Sequence, residues 1–481
     1  AYGNGTVTIT DGDITAKATG RYGAGIGGGY GAIPKDTLIG GNGTVTISGG
    51  TITEASGGYM AAGIGSGFQG LGTVTIEGDA VIKNAQGGEA GAGIGSGSDG
   101  DSEIIIRDNA VIENAESKTG GAGIGSGQGF YYEDEDGLLV IDSTVGNVTI
   151  EGNAKIENAK SGYGGSGIGG GAIGIGNVII RGNAQIGNAT GGDEGAGIGG
   201  GALGTGDVTI EGNVTIENAQ GGAGAAGIGG GAETEPDTED TRNKVSIKST
   251  EAGSPNITAT GGGVLNDENY PLPGAAAIGS GSVADGATEV KSDITIEGKV
   301  TIDATGGGDV AIGDSTNGET RFSGLQVGTT ITRRNAKGDD VSQPGDVPEP
   351  EKPAETEAAE APSTGSVEVE RPVTVEGLYV TNVLGKQITH TCTQNGTTLT
   401  IRANGIVTSA HLTLGMVRTL KAQGVKTLVF TTLLSRSTTV SVDALLAAEP
   451  DAPDETAVVW THTGLRAALT IGGADHSALL K

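Results

Sequence analysis

Apolar and polar residues alternate in short segments along the first two thirds of the chain, and the segments recur in sets of three. One set reads Val-Thr-Ile over residues 148–150, Ala-Lys-Ile over residues 154–156 and Ser-Gly-Ile over residues 166–168. Alternation with a period of two is typical of a strand that buries one face. The pattern therefore predicts three short strands per repeat, with the apolar residues of each strand turned inward.

The third segment of each set belongs to a motif, Ala-Gly-Ile-Gly with variants, that occurs nine times. Its isoleucines are Ile26, Ile64, Ile94, Ile124, Ile168, Ile198, Ile228, Ile278 and Ile312. The uninterrupted spacing is 30 residues, as between Ile64 and Ile94, and longer gaps contain insertions. A β-propeller blade needs about 40–45 residues and four strands, whereas three strands in a shorter repeat describe a β-helix rung. We therefore predict a right-handed parallel β-helix of about nine rungs over residues 1–337.

Glycine and asparagine recur in register with the strands. The glycines of the motif have a structural interpretation, because a chain that turns sharply after an inward isoleucine needs positive φ angles. A phosphate-binding loop is disfavoured, because no Lys-Ser/Thr pair and no helix pattern follow. Two columns of asparagine are interpreted as hydrogen-bonded ladders between rungs. They comprise Asn84, Asn114, Asn158, Asn188 and Asn218, and Asp79, Asn109, Asn153, Asn183 and Asn213.

Function is expected at the insertions, because insertions into a solenoid often form its binding face. Three of them follow the motif, at residues 30–42, 129–146 and 232–243, and a fourth, at residues 262–273, precedes it. The aromatic and acidic residues at the corner after the motif are the candidate binding residues. They are Tyr30, Phe68, Phe130, Tyr131, Tyr132, Glu133, Asp134, Glu135 and Asp136. Two interpretations stay open: the aromatic rings bind a sugar or a protein, or they only cover the edges of the coils.

The repeat ends before a different kind of sequence. Residues 338–371 alternate proline with acidic residues, which keeps a segment extended and predicts a linker. Residues 372–481 predict a small α+β domain, with a hairpin at Asn395-Gly396, a helix over residues 412–423 and a short helix capped by Asp443. Four scattered histidines show no metal-ligand spacing.

Charge and composition exclude several classes of function. The formal net charge of -30 disfavours nucleic acid, because phosphate binding needs clustered Lys and Arg. The chain has no apolar run long enough to span a membrane. Cys392 is the only cysteine, and we predict that it is a small residue of a strand. No rung stands out with a catalytic group of residues, so we expect no enzyme and no cofactor. The acidic loops of the insertions are a candidate site for calcium, because Ca²⁺ binds carboxylate oxygens.

The Gly-Ala-Gly-Ile-Gly-Gly-Gly stretches at residues 23–29 and 195–201, with the Val-Thr-Ile-Glu-Gly-Asn segments, resemble Gly-rich repeat proteins on the surface of Gram-positive gut-type bacteria. The resemblance covers residues 1 to about 315 and implies a parallel β-helix in a secreted or wall-attached protein. It also implies an adhesin-like function, with glycans or host or bacterial surface proteins as partners. The resemblance does not identify any functional residue in this chain. The alternatives are a passive stalk that only provides length and a β-helical polysaccharide lyase or hydrolase.

Overall fold

We describe the protein from a computed structural model. The structure describes residues 3–29, 40–133, 139–232, 243–264, 272–283, 291–314, 321–343, 346, 371–373, 375, 377–382, 386–388, 390–403, 407–432, 437–450, 452–463 and 466–480. The chain forms two compact units, Ala1–Lys352 and Pro353–Lys481. The predicted division into residues 1–337, 338–371 and 372–481 stays a prediction.

Three parallel sheets form the first unit, and successive rungs contribute strands to them in chain order, with the last described rung adding strands to sheets A and B alone. Sheet A contains Gly5–Ile9, Gly43–Ile47, Gly72–Ile76, Ser102–Ile106, Thr144–Ile150, Gly174–Gly182, Gly206–Gly212, Asn243–Lys248, Ser292–Glu297 and Arg321–Ser323. Sheet B contains Asp13–Lys17, Thr51–Ser56, Val81–Ile82, Ala85–Gln86, Val111–Ser117, Lys155–Ser161, Gln185–Thr190, Thr215–Gln220, Asn256–Thr260, Thr301–Thr305 and Thr330–Arg334. Sheet C contains Ile26–Gly27, Ile64–Gly65, Ile94–Gly95, Ile124–Gly125, Ile168–Gly169, Ile198–Gly199, Ile228–Gly229, Ile278–Gly279 and Ile312–Gly313. The predicted parallel β-helix with three strands per rung is confirmed.

Identical positions of successive rungs stack in register and fill the core. Ile94 pairs with Ile64 on one side and with Ile124 on the other, and all three are fully buried. The valine and isoleucine columns of sheets A and B join the same apolar cluster. Burial of one large aliphatic side chain contributes about 1.5–3 kcal/mol. Each rung therefore depends on its neighbours for stability, as expected of a solenoid.

The Ala-Gly-Ile-Gly motif folds as an inward loop with its isoleucine at the tip. The Ala62 N–H donates to the Ser66 carbonyl oxygen, 3.1 Å away, and closes the loop around Ile64. Gly65 follows with a φ of 134°, a conformation that only glycine adopts readily. The structural interpretation of these glycines is confirmed.

Because the loop points inward, the turns that flank it lie side by side on the surface. The Ser98 N–H donates to the Met60 carbonyl oxygen at 3.0 Å, and the Ala202 N–H donates to the Gly164 carbonyl oxygen at 2.6 Å. Each bond joins the turn before the motif to the turn after the motif of the next rung. The two turns therefore form one continuous ridge along the rod, which we call the motif ridge (residues 57–61 and 67–70 and their equivalents in the other rungs).

Both predicted asparagine ladders form. Asn158 donates from Nδ2 to Asn114 Oδ1 at 3.2 Å, and Asn188 donates to Asn158 Oδ1 at 3.0 Å. In the second column, Asn153 donates to Asn109 Oδ1 at 3.1 Å, and Asn109 donates to Asp79 Oδ1 at 3.0 Å. These bonds satisfy side chains at the turns and fix the register of the rungs.

One position of sheet A places a carboxylate in a polar column where an amide would fit better. Asn177 donates from Nδ2 to Asn147 Oδ1 at 2.9 Å, and Asp207 is the next residue of the column, followed by Lys244. Burial raises the pKa of Asp207 to about 6, and the nearby Lys244 lowers it only in part. The folded protein therefore binds a proton at Asp207 more readily than the unfolded chain does.

We expect Asp207→Asn to stabilise the first unit at pH 7 by about 2–3 kcal/mol, since the pKa of Asp207 is raised by about two units and each unit corresponds to about 1.4 kcal/mol. The aspartate's destabilising contribution grows as the pH rises from about 4 to about 6 and is then constant. The gain from Asp207→Asn should thus vanish near pH 4. Urea unfolding followed by circular dichroism at pH 4, 5, 6 and 7 measures it. Glu217→Gln removes the same charge from an exposed site of sheet B and should leave stability unchanged. A pH-independent effect of Asp207→Asn would contradict this assignment.

A buried ion pair closes the C-terminal end of the β-helix. Arg333 is the in-register partner of Ala304 and so occupies the position that alanine fills in earlier rungs. Its Nε donates to Asp346 Oδ1 at 2.9 Å and its Nη1 donates to the Ile312 carbonyl oxygen at 3.1 Å. Both side chains are 1% exposed. The guanidinium also lies 5.8 Å from the ring centroid of Phe322.

The second unit consists of two mainly antiparallel sheets with two helices. One sheet has the strand order Arg371–Pro372, His390–Asn395, Thr398–Ala403, Thr427–Thr431 and Ser437–Ser441. The other has the order Gln387–Ile388, Tyr379–Asn382, Val407–Thr413, Ala457–Thr463, Arg466–Ile471 and Ala474–Asp475. The helices are α1 (Leu414–Ala422) and α2 (Val442–Ala448), and a short 3-10 helix spans Ser477–Leu479.

Two local predictions for this unit have different outcomes, and one strand was not predicted. The Asn395-Gly396 hairpin is confirmed, with Asn395 paired to Thr398. The cap of the short helix is wrong: Ser441 accepts the Ala444 N–H, and Asp443 lies in the first turn. The strand Val407–Thr413 was not predicted, because Leu412 was assigned to the helix; the helix begins two residues later, at Leu414, with Thr413 as its cap.

Cys392 and His462, two residues of this unit with chemically reactive side chains, have structural roles. Cys392 is buried in a strand, and burial raises the pKa of its thiol to about 11. His462 is fully buried, with ring nitrogens 3.2 Å from Thr432 Oγ1 and 2.7 Å from Thr438 Oγ1. Trp460 donates from Nε1 to the same Thr438 hydroxyl at 2.9 Å. The histidine therefore belongs to a satisfied core network.

Candidate binding site

The structure brings two of the predicted aromatic residues together on the motif ridge. The ring centroids of Phe68 and Phe130 are 6.5 Å apart and nearly edge-on, and Tyr22 packs against Phe68 at 5.4 Å. All three rings are half-buried. Tyr22 precedes the motif of the first rung and Phe68 follows the motif of the second, so the stack depends on the two turns lying side by side. These rings cover the coil edge and also present an apolar face.

Other predicted residues cannot be placed to the same extent. Phe130–Glu133 pairs antiparallel with Leu139–Asp142, so the insertion begins and ends as a hairpin. The side chains of Tyr131, Tyr132 and Glu133 lie outside the described residues. Tyr30, Asp134, Glu135 and Asp136 lie outside them entirely, so these predictions stay predictions.

A cleft of about 490 Å³ adjoins the aromatic stack, and sequence reasoning missed it. Phe68 directly precedes Gln69 of the cleft, and Phe130 lies opposite Asp142, another cleft residue, in the hairpin. Opposed residues of an antiparallel pair project from the same face. The cleft is lined by Gly40, Asn42, Gln69, Gly70, Leu71, Asp99, Gly100, Asp101, Asp142, Ser143 and Thr144.

Three carboxylates line this cleft. Burial raises the pKa of Asp99, and Asp142 and Asp101 raise it further, while a hydrogen bond from Gln69 Nε2 at 2.7 Å opposes the shift. Burial also raises the pKa of Asp101, together with Asp142 and against the Val145 N–H that donates to it at 2.8 Å. Perturbed carboxyl groups in a cleft mark candidates for a functional site. Two sequence features could have indicated this cleft. One is the Asp99-Gly-Asp101 stretch after the third motif, and the other is Asp142 at the end of an insertion.

Backbone geometry at the cleft follows from the repeat. Gln69 and Asp99 each lie five residues after the motif isoleucine and have φ angles of 55° and 57°. Ile173 and Leu203 occupy the equivalent position outside the cleft and share the conformation, with φ of 58° in both. The left-handed conformation is thus a property of this turn and does not single out the cleft.

Neither a metal site nor a membrane-spanning helix is found in the part of the chain that the structure describes. There, no group of three or more His, Cys, Asp or Glu side chains is arranged to hold a metal ion. Likewise, none of the helices in those residues is long and apolar enough to cross a membrane. Calcium binding at the acidic insertion loops is not tested by these observations, because Asp134, Glu135 and Asp136 lie outside the described residues.

Comparison with known proteins supports the fold and no activity. A family model described as a beta helix repeat matches residues 7–30 and 45–68. These segments run from sheet A to the turn after the motif in the first two rungs. No curated protein and no solved structure matches the chain. The chain thus contains β-helix repeats of a kind that occurs in enzymes and in proteins without activity alike.

Proposed function

We propose that the protein is an extracellular, adhesin-like bacterial surface protein whose β-helix binds glycans at the motif ridge. The observation that carries the proposal is the stack of Tyr22, Phe68 and Phe130 beside a polar cleft. Sugars present apolar C–H faces and hydroxylated edges, so an aromatic surface next to amides and carboxylates is complementary to them. A rigid rod of stacked rungs suits the display of such a site away from a surface.

Glycan binding is tested with an immobilised panel of neutral and acidic polysaccharides. We expect Phe130→Ala to weaken binding by about tenfold, since loss of one stacked ring costs on the order of 1.4 kcal/mol. Tyr131→Ala and Tyr132→Ala test the rest of the hairpin. Tyr379→Ala is the matched control, because this tyrosine is 40% exposed in the second unit. Binding that is equal in the parent and all three hairpin variants would contradict the site, and a protein that binds nothing on the panel would be a passive stalk.

A polysaccharide hydrolase is the second candidate, favoured by the raised pKa of Asp99 and Asp101 in one cleft. Glycoside hydrolysis uses a protonated and an ionised carboxyl group on either side of the scissile bond. New reducing ends released by the parent protein and lost on Asp99→Asn or Asp101→Asn would establish this activity. Unchanged polysaccharide after prolonged incubation would leave binding as the function.

A further inference from the structure

The geometry points to a neutral, extended polysaccharide that lies parallel to the rod axis, and this inference rests on the proposed function. It concerns the kind of glycan and its direction. The observations that carry it are the register of the cleft residues, the position of exposed aromatic rings and the charge of the lining.

The cleft runs along the axis because its residues occupy equivalent positions of successive rungs. Asn42, Leu71 and Asp101 each directly precede a sheet A strand, and those strands pair in register from Gly43 to Gly72 and on to Ser102. Asn42 Oδ1 accepts the Leu71 N–H at 2.9 Å, one rung away. Gln69 and Asp99 form a second column and bond across the rungs. From the strand at Gly43 to the strand at Gly146 the column extends about 14 Å, at roughly 4.8 Å per rung.

Exposed apolar side chains also occur in the rungs at the two ends of the cleft. Leu71 is 43% exposed within it. On the motif ridge, Tyr59 of the second rung is 49% exposed and Tyr163 of the fifth rung is 54% exposed. The guanidinium of Arg21 lies 4.9 Å from the Tyr59 ring centroid and orients that ring. Stacking positions therefore recur along the axis over four rungs, which suits a chain of sugars better than one terminal sugar.

The charge of the residues that line the cleft favours an uncharged ligand. Among the described residues that line the cleft, three are aspartates and none is Lys or Arg. A uronate or a sulfated sugar would bring a second negative charge within a few ångströms of these carboxylates, and like charges at that distance repel by about 1 kcal/mol or more. Hydroxyl groups, by contrast, donate to carboxylate oxygens. The site is thus suited to neutral sugars.

The test uses the full chain and oligosaccharides from two to six residues, prepared from glucan, mannan and xylan, with oligogalacturonates as the acidic series. We expect affinity for one neutral series to rise at least about tenfold from the dimer to the hexamer. Tyr163→Ala should weaken hexamer binding several-fold and dimer binding much less, since a dimer is too short to contact rings that lie three rungs apart. Tyr379→Ala should change neither.

The outcomes separate the two proposals. Affinity that is independent of length, an equal effect of Tyr163→Ala on dimer and hexamer, or preference for oligogalacturonates overturns the axial, neutral assignment and leaves glycan binding in place. Absence of binding to all four series and to the immobilised polysaccharides overturns the proposed function and this inference with it.

Discussion

Gly95→Ala is expected to destabilise the first unit by at least about 3 kcal/mol. Gly95 has a φ of 136°, where a side chain strains the backbone. A Cβ at this position would also overlap the carbonyl oxygen of Gly125 in the next rung and approach Ile104 Cδ1 to 3.0 Å. Neither rung can move away, because Ile94 is held in register by the rungs on both sides.

The measurement is urea unfolding followed by far-ultraviolet circular dichroism, with amide hydrogen exchange to locate the loss. Exchange should accelerate most in the third and fourth rungs, because a solenoid transmits strain to its nearest neighbours first. Gly20→Ala is the matched control, since a Cβ there has no atom within 4 Å and the backbone is not in the left-handed region. It should unfold like the parent or slightly later. Equal midpoints for the two variants would show that the inward loop tolerates a side chain.

The stacked core could be predicted from the sequence because it depends on short-range periodicity. The alternation around Ile150 sets the buried face of a strand, and the spacing from Ile64 to Ile94 sets the rung. The motif occurs nine times and the 30-residue spacing four times, so a local error in one rung does not change the prediction. The same holds for the asparagine ladders, whose members follow the strand isoleucine at a fixed distance.

The candidate site could be predicted only in part because it is made by contacts between rungs. The position of Phe68 at a corner follows from its spacing to Ile64, but its contact with Tyr22 depends on how two turns pack. The cleft joins Asp101 of one rung to Asp142 at the end of an insertion. No periodic pattern connects these residues, because the insertion interrupts the 30-residue spacing from which the rest of the β-helix was predicted.

The C-terminal cap escaped prediction for a related reason. Arg333 occupies a position that alanine fills in earlier rungs. The repeat pattern therefore does not predict which residue the Arg333 side chain contacts. Its partner Asp346 lies within the stretch whose prolines and acidic residues predict a linker. Composition averages over such a segment, whereas the cap depends on one carboxylate. The Gln343 N–H also donates to Asp346, at Oδ2 and 2.6 Å.

Arg333→Ala should destabilise the β-helix by about 3–5 kcal/mol, because it leaves the Asp346 carboxylate buried without its partner. The Ile312 carbonyl oxygen and one face of Phe322 lose their contacts with the guanidinium as well. Arg107→Ala is the matched control. Arg107 pairs with Glu77 across rungs on the surface, where an ion pair contributes no more than about 1 kcal/mol. The two variants remove the same charge from the same unit and differ in burial.

The double variant Arg333→Met/Asp346→Leu distinguishes a buried-charge effect from a packing effect. Removal of both charges leaves no unpaired ion, so this variant should recover most of the stability that Arg333→Ala loses. The chain has a single tryptophan, Trp460, in the core of the second unit, so its fluorescence reports the unfolding of that unit. We expect the tryptophan transition to stay fixed while the circular dichroism transition of the β-helix moves. If Arg333→Ala and Arg107→Ala shift that transition equally, the ion pair does not close the rod, and the stability of the last rung comes from its apolar contacts alone.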